Sequence, residues 1–153
     1  MNTIRRILVA VDYTPDSDAA IEQAASLATQ TGASLRLLHV LEALMYAAPE
    51  MTELANREPS FHIEATRKLD AVVRSLKERG HSQVDDEIAF GIAADVIVDH
   101  ANQGKYDLLV IGALGRSSFR RAHLGIVTEQ VIRRAQIPVL TVRSDFQALP
   151  RAS

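Results

Sequence analysis

The chain has 153 residues, enough for one domain with a sizeable core. Apolar residues make up 47% and charged residues 24%, as in ordinary soluble domains, and a net charge of −2 gives no general attraction to nucleic acid or to anionic lipid. The lack of cysteine excludes disulfides and thiol chemistry and fits a cytoplasmic setting, and no apolar stretch reaches membrane-spanning length.

Arg5 and Arg6 precede the apolar run Ile7 to Val11, but Asp12 closes that run too early for a secretory signal. The run instead predicts a strand buried on both faces. Thr14-Pro15-Asp16-Ser17 supplies helix-start chemistry, with cap candidates and an early proline. Ile21, Ala24, Ala25 and Ala28 then share one helical face, and Gly32 is placed to stop the helix. Leu35 to Val40 predicts a second strand, interrupted by Arg36 and His39. From Leu41 to Pro59 the periodicity fades. This segment reads as a surface loop with a little helix, the other reading being a cover over a site.

Helical spacing returns between Ser60 and Arg79 through Ala65, Leu69, Val72, Val73 and Leu76, and Gly80 ends it. Val84 to Phe90 predicts a third strand. Its Asp85-Asp86-Glu87 run suits a sheet edge, because charge there discourages edge-to-edge pairing. Gly91 turns into a helix carrying Ala94, Ile97, Val98 and Ala101, with Gly104 as its stop. Leu108 to Ile111 is the next buried run. It leads into Gly112, Gly115 and Gly125, and then into a helix expected to face inward with Leu124, Val127, Val131, Ile132 and Ala135. Ile137 to Val142 predicts the last strand, with Pro138 confined to its start. Ser144 to Ser153 reads as a tail. Strands alternating with helices predict right-handed crossovers and a mostly parallel sheet covered on both faces.

The stretch after the fourth strand carries the chemistry. Glycines let backbone N–H groups approach a ligand closely, and a helix start favours negative charge. Two glycines after a strand would also suit a plain turn. No Gly-Lys-Ser/Thr follows, so this is not a P-loop, and G-x-G-x-x-G is absent. The spacing is instead G-x2-G-x9-G, from Gly112 through Gly115 to Gly125. It resembles the nucleotide-binding loop of the universal stress protein family, in which Ser or Thr follows the last glycine and the helix continues V-T-E. Here Ile126 stands in the Ser/Thr position, before Val127-Thr128-Glu129. The opening Val9-Ala10-Val11-Asp12 with its small-residue helix is also similar to that family, and the resemblance runs from Arg6 to Arg143. It implies one universal stress protein domain over 1–143 with a tail over 144–153. It also implies an open five-stranded parallel α/β sheet of order 3-2-1-4-5, helices on both faces, of the adenine nucleotide alpha-hydrolase-like type.

That order brings Asp12 and the Gly112 stretch together where the winding reverses, which is where open α/β sheets bind ligands. The resemblance implies that Asp12 lies against an adenosine; without it, Asp12 would read as a turn cap. It implies that Ala10, Val40 and Ile111 border the adenine, and that Gly112, Gly115, Gly125, Val127 and Thr128 hold ribose and phosphate. Ile126 keeps its backbone N–H but lacks the family's hydroxyl. Arg116, with Arg120 and Arg121, has two open roles: a fork on phosphate oxygens or a solvated basic loop. Ser117 and Ser118 stand in the same position. The histidines (His39, His62, His81, His100 and His123) show no metal spacing and read as surface or interface residues. No carboxylate pair has spacing for acid–base work. The expected function is therefore ATP binding, with Mg²⁺, by a nucleotide-responsive stress or signalling module whose ATP hydrolysis is at most weak. The alternative is a dimeric interaction protein of the same fold that holds no nucleotide. The resemblance also implies a homodimer formed along Val139 to Val142.

Overall fold

A computed structural model of the chain describes residues 3–42, 59–114 and 124–145. Its strands are β1 (Arg6–Ala10), β2 (Ser34–Leu41), β3 (Val84–Phe90), β4 (Leu108–Gly112) and β5 (Val139–Val142). The described helices are α1 (Pro15–Thr31), α2 (Pro59–Glu78), α3 (Ala93–Gln103) and α4 (Ile126–Arg134). All strand pairs are parallel and the order is β3-β2-β1-β4-β5, as the resemblance implies.

Alternation along each strand divides the core into two layers. Ile7, Val9, Leu35, Leu37 and Val110 meet α1 and α2 through Ala20, Ala24, Leu69 and Leu76. Leu8, Leu38, Leu109 and Ile111 meet α3 and α4 through Ala94, Ile97, Val98 and Val131. The central strands β1, β2 and β4 are thus buried on both faces, and each fully buried aliphatic side chain contributes about 1.5–3 kcal/mol. The alanines of α1 let its axis lie close to the sheet. Thr14 caps this helix by accepting the Ser17 N–H at 3.2 Å, Pro15 follows, and Gly32 ends it in the left-handed region at φ 74°. Gly104 stops α3 for a different reason. Its φ is −83°, and a Cβ there would stand 2.2 Å from the Tyr106 ring.

The polar edge strand sits where its charges suggested. Arg36 on β2 forms ion pairs with Asp85 at 2.6 Å and Glu87 at 3.0 Å. His100 on α3 bonds the Val96 carbonyl through Nδ1 at 2.8 Å and the Glu87 carboxyl through Nε2 at 2.9 Å. The His100 hydrogen bond holds the Glu87 carboxyl below its ordinary range, against the opposing effect of burial.

Two inward-facing positions predicted for the last helix differ. Leu124 precedes the N-cap Gly125, and it is 45% exposed; Ile132 is 41% exposed. The helix has only nine residues and buries Thr128 and Val131, so its inward stripe is narrower than the periodicity implied. Most of the segment read as a surface loop (43–58) and of the tail (146–153) lies outside the described residues.

Candidate functional site

The carboxyl ends of β1 and β4 lie side by side at the reversal of winding, and a crevice of about 360 Å³ opens there. Its apolar walls come from both sheet and helices: Ala10, Leu38, Val40, Ile97, Ile111 and Val127. Asp12, Glu42, Gly112, Ile126 and Thr128 complete its polar and backbone rim. The crevice thus brings together eight residues expected from the sequence: Ala10, Asp12, Val40, Ile111, Gly112, Ile126, Val127 and Thr128. Gly125, buried, caps α4 immediately behind them. Gly115 and Arg116 lie outside the described residues, as do Ser117, Ser118, Arg120, Arg121 and His123.

Local chemistry fixes the β1 side. Asp12 Oδ1 accepts the Thr14 N–H at 3.1 Å and the Thr14 hydroxyl at 2.5 Å. Tyr13 between them takes φ 62°, a left-handed conformation that costs an L-residue about 1–2 kcal/mol. The Asp12 N–H in turn donates to Ser17 Oγ at 3.0 Å. Asp12 therefore does act as a turn cap, and it also lines the crevice. Burial, then the charges of Asp12 and Glu22, push the Asp18 carboxyl up.

The β4 side is a tight junction. A Cβ on Gly112 would lie 2.9 Å from backbone atoms of Asp16 and Ser17, so β4 meets the first turn of α1 at a distance only glycine allows. The Thr128 hydroxyl, 2% exposed, donates to the Gly112 carbonyl at 2.8 Å. Gly125 N–H donates to the Ala113 carbonyl at 2.8 Å, which draws the start of α4 onto the end of β4. Among the described residues no side chain caps α4, and the first N–H groups of a helix have no partner within it. Together with the helix dipole, these inward donors favour an anion at the crevice.

Three contributors were not legible as site residues. Asp16, 5% exposed, accepts the Leu114 N–H at 3.0 Å and the Ser144 N–H at 2.8 Å. Glu42 accepts the Ala93 N–H at 2.9 Å and so caps α3 from the end of β2. His39, expected at the surface or an interface, is 6% exposed, bonds the Val11 carbonyl through Nδ1 at 2.7 Å and packs on Tyr13. Each acts on residues distant in sequence, apart from a helix-start signal at Asp16 that hid its longer reach.

An adenine nucleotide suits this set of groups: apolar walls for a base, and helix-start donors for phosphate. Among the described residues no cluster of three or more Asp, Glu, His or Cys could hold a metal ion.

Residues 3–143 match the model of the universal stress protein family. A relative from Staphylococcus aureus (strain USA300), named as a universal stress protein, is 27% identical over 95% of this chain and 87% of its own length. The solved structure of universal stress protein UspA from Lactobacillus plantarum superposes with a TM-score of 0.78 at 28% identity, covering 94% of this chain and 100% of that one. A universal stress protein from Archaeoglobus fulgidus, solved in complex with dAMP, shares the fold at a TM-score of 0.65 and 24% identity over 92% of this chain and 99% of that one.

Proposed function

Since the chain belongs to the universal stress protein family, we propose that its switch-point crevice binds ATP, with Mg²⁺ on the phosphates, and that occupancy is the signal this stress-response module reports. The observation that carries this reading is the meeting of an apolar crevice with the start of α4, whose N-cap is the side-chain-free Gly125. Ala10, Val40 and Ile111 flank the base, Asp12 faces the ribose, and Gly112, Gly125 and the N–H groups of Ile126, Val127 and Thr128 receive phosphate. Gly115 and Arg116 would add to the phosphate side. That one fold relative was solved with dAMP supports the choice of an adenine nucleotide.

A second element of the proposal is a homodimer along β5. Among the described residues this strand is bonded to β4 on one side only, and Val139-Leu140-Thr141-Val142 carries no charge. Leu140 is 36% exposed and Ile132 of α4 is 41% exposed.

Thermal denaturation tests the ligand. ATP at a hundredfold excess over its dissociation constant should stabilise the fold by about 2.7 kcal/mol, and so raise the melting temperature by about 5–10 °C. Gly115→Val should abolish that rise. A chain that purifies without nucleotide and shows no shift with ATP would instead be the dimeric interaction protein.

A further inference from the structure

Asp16 has a buried carboxylate with no place yet in ligand binding. It stands in the first turn of α1, where the helix dipole favours an acid, but its hydrogen bonds run elsewhere. Oδ2 accepts the N–H of Leu114, 98 residues away; Oδ1 accepts the N–H of Ser144, 128 residues away. Two backbone donors converge on two carboxylate oxygens inside the protein, an arrangement that an amide side chain could satisfy only by half.

The partners define what this carboxylate holds. Leu114 follows Gly112 and Ala113, the residues on which α4 is seated: Gly125 N–H donates to the Ala113 carbonyl, and the Thr128 hydroxyl to the Gly112 carbonyl, each at 2.8 Å. Ala113 N–H donates to the Val142 carbonyl at 2.8 Å, so the last residue of β5 grips the same junction. Ser144 lies two residues beyond it. Asp16 is thus the side chain that bonds both the exit of β4 and the exit of β5. The crevice is lined by its neighbours Ser17 and Gly112, and Asp16 is not among the lining residues.

We infer that Asp16 is a positioning residue for phosphate-bearing ligands: without touching the nucleotide, its carboxylate fixes the junction that aims the first N–H groups of α4, and ties that junction to the exit of β5. The inference rests on the proposed nucleotide reading of the crevice. It separates two parts of a ligand. The base lies against Ala10, Val40 and Ile111, which Asp16 does not bond; the phosphates depend on the seating of α4, which it does.

Calorimetry with ATP and with adenosine on the wild-type chain and on Asp16→Asn is the test. The variant keeps the size of the side chain and loses one acceptor. ATP should weaken by about tenfold, the equivalent of one charge-assisted hydrogen bond, and adenosine by less than about twofold on that scale. Leu76→Ala, a core truncation on α2 away from the crevice lining, controls for lost stability and should leave the ratio of the two affinities at its wild-type value. Equal weakening of both ligands by Asp16→Asn, or none, overturns the role. Should Asp16→Asn fail to fold, amide exchange on the wild type decides: ATP, but not adenosine, should slow exchange at both the Leu114 and Ser144 N–H groups. Protection confined to Leu114 overturns the tie to β5, and protection at neither overturns the whole inference. A wild-type chain that binds neither ligand sinks the nucleotide reading, and this role with it. Wild-type ATP binding with unchanged affinity in Asp16→Asn sinks only the role.

Discussion

Gly112→Ala adds a single methyl group at the most crowded point of the fold. The new Cβ would meet the backbone carbon of Asp16 and the backbone nitrogen of Ser17 at 2.9 Å, and the Cβ of Asp16 at 3.0 Å. Neither backbone atom can swing aside, so α1 must retreat from β4 by roughly half an ångström before ordinary contact distances return. That retreat stretches the bonds from Asp16 to Leu114 and Ser144 and from Ser17 to the Asp12 N–H, which begin at 3.0, 2.8 and 3.0 Å. Overpacking of this kind costs about 1–3 kcal/mol. Alanine recovers about 0.5–1 kcal/mol of backbone entropy that glycine loses in a strand. The net loss should be roughly 1–2 kcal/mol, a fall of about 2–8 °C in melting temperature for a chain of this size. Denaturant titration and calorimetry measure it directly, and the ATP-induced shift should shrink in the same sample. Gly80→Ala is the control: Gly80 has φ 99° with nothing within 4 Å of a Cβ, so it should lose stability through backbone strain and keep the ATP response. A Gly112→Ala chain as stable as wild type, with a full ATP response, would refute the tight junction.

Ile126 is 64% exposed, so its replacement sacrifices little burial. Ile126→Ser should tighten ATP several-fold to about tenfold through a hydroxyl donated to phosphate, and AMP hardly at all; equal gains in calorimetry would place residue 126 away from the outer phosphates. Glu87 has a folded pKa below its unfolded value of 4.5, chiefly through His100. Its contribution to stability is therefore present above that value and fades as pH falls through the folded pKa, so Glu87→Gln should lower stability at pH 6 and converge with wild type under strong acid. Matching pH profiles would exclude the bond to His100. Leu140→Asp places a charge on the open edge of β5 and should shift sedimentation from dimer to monomer at micromolar concentration; a monomeric wild type would remove the dimer.

Much of the framework could be read from residue patterns, because buried parallel strands are near-continuous apolar runs bounded by glycine or a carboxylate. Ile7 to Val11 and Leu108 to Ile111 stood out for that reason. Strand order could not be read in the same way: it depends on which runs pair, and it came from the resemblance. The inward face of α4 was misjudged because Leu124 and Ile132 keep helical spacing, while the helix starts after Leu124 and is too short to bury a broad stripe. The site residues nearest the glycines were legible since local geometry demands small or cap-forming residues there. Asp16, Glu42 and His39 were not. Each satisfies a backbone group on another element, Leu114 and Ser144, Ala93, or Val11, and nothing in the residues flanking them announces the partner.

The two rims of the sheet differ in one respect that bears on assembly. β3 presents Asp85, Asp86 and Glu87, and Arg36 and His100 hold part of that charge in place. β5, Val139-Leu140-Thr141-Val142, presents a rim without charge. A molecule with two adhesive rims could add copies without limit and grow into a fibre. One with a single adhesive rim is used up by its first match, since two such rims meeting about a two-fold axis leave only acidic rims facing outward. In the proposed dimer the acid run on β3 would then act as a chain terminator. Replacing Asp85 and Glu87 with threonine would weaken that stop without touching a residue that lines the crevice.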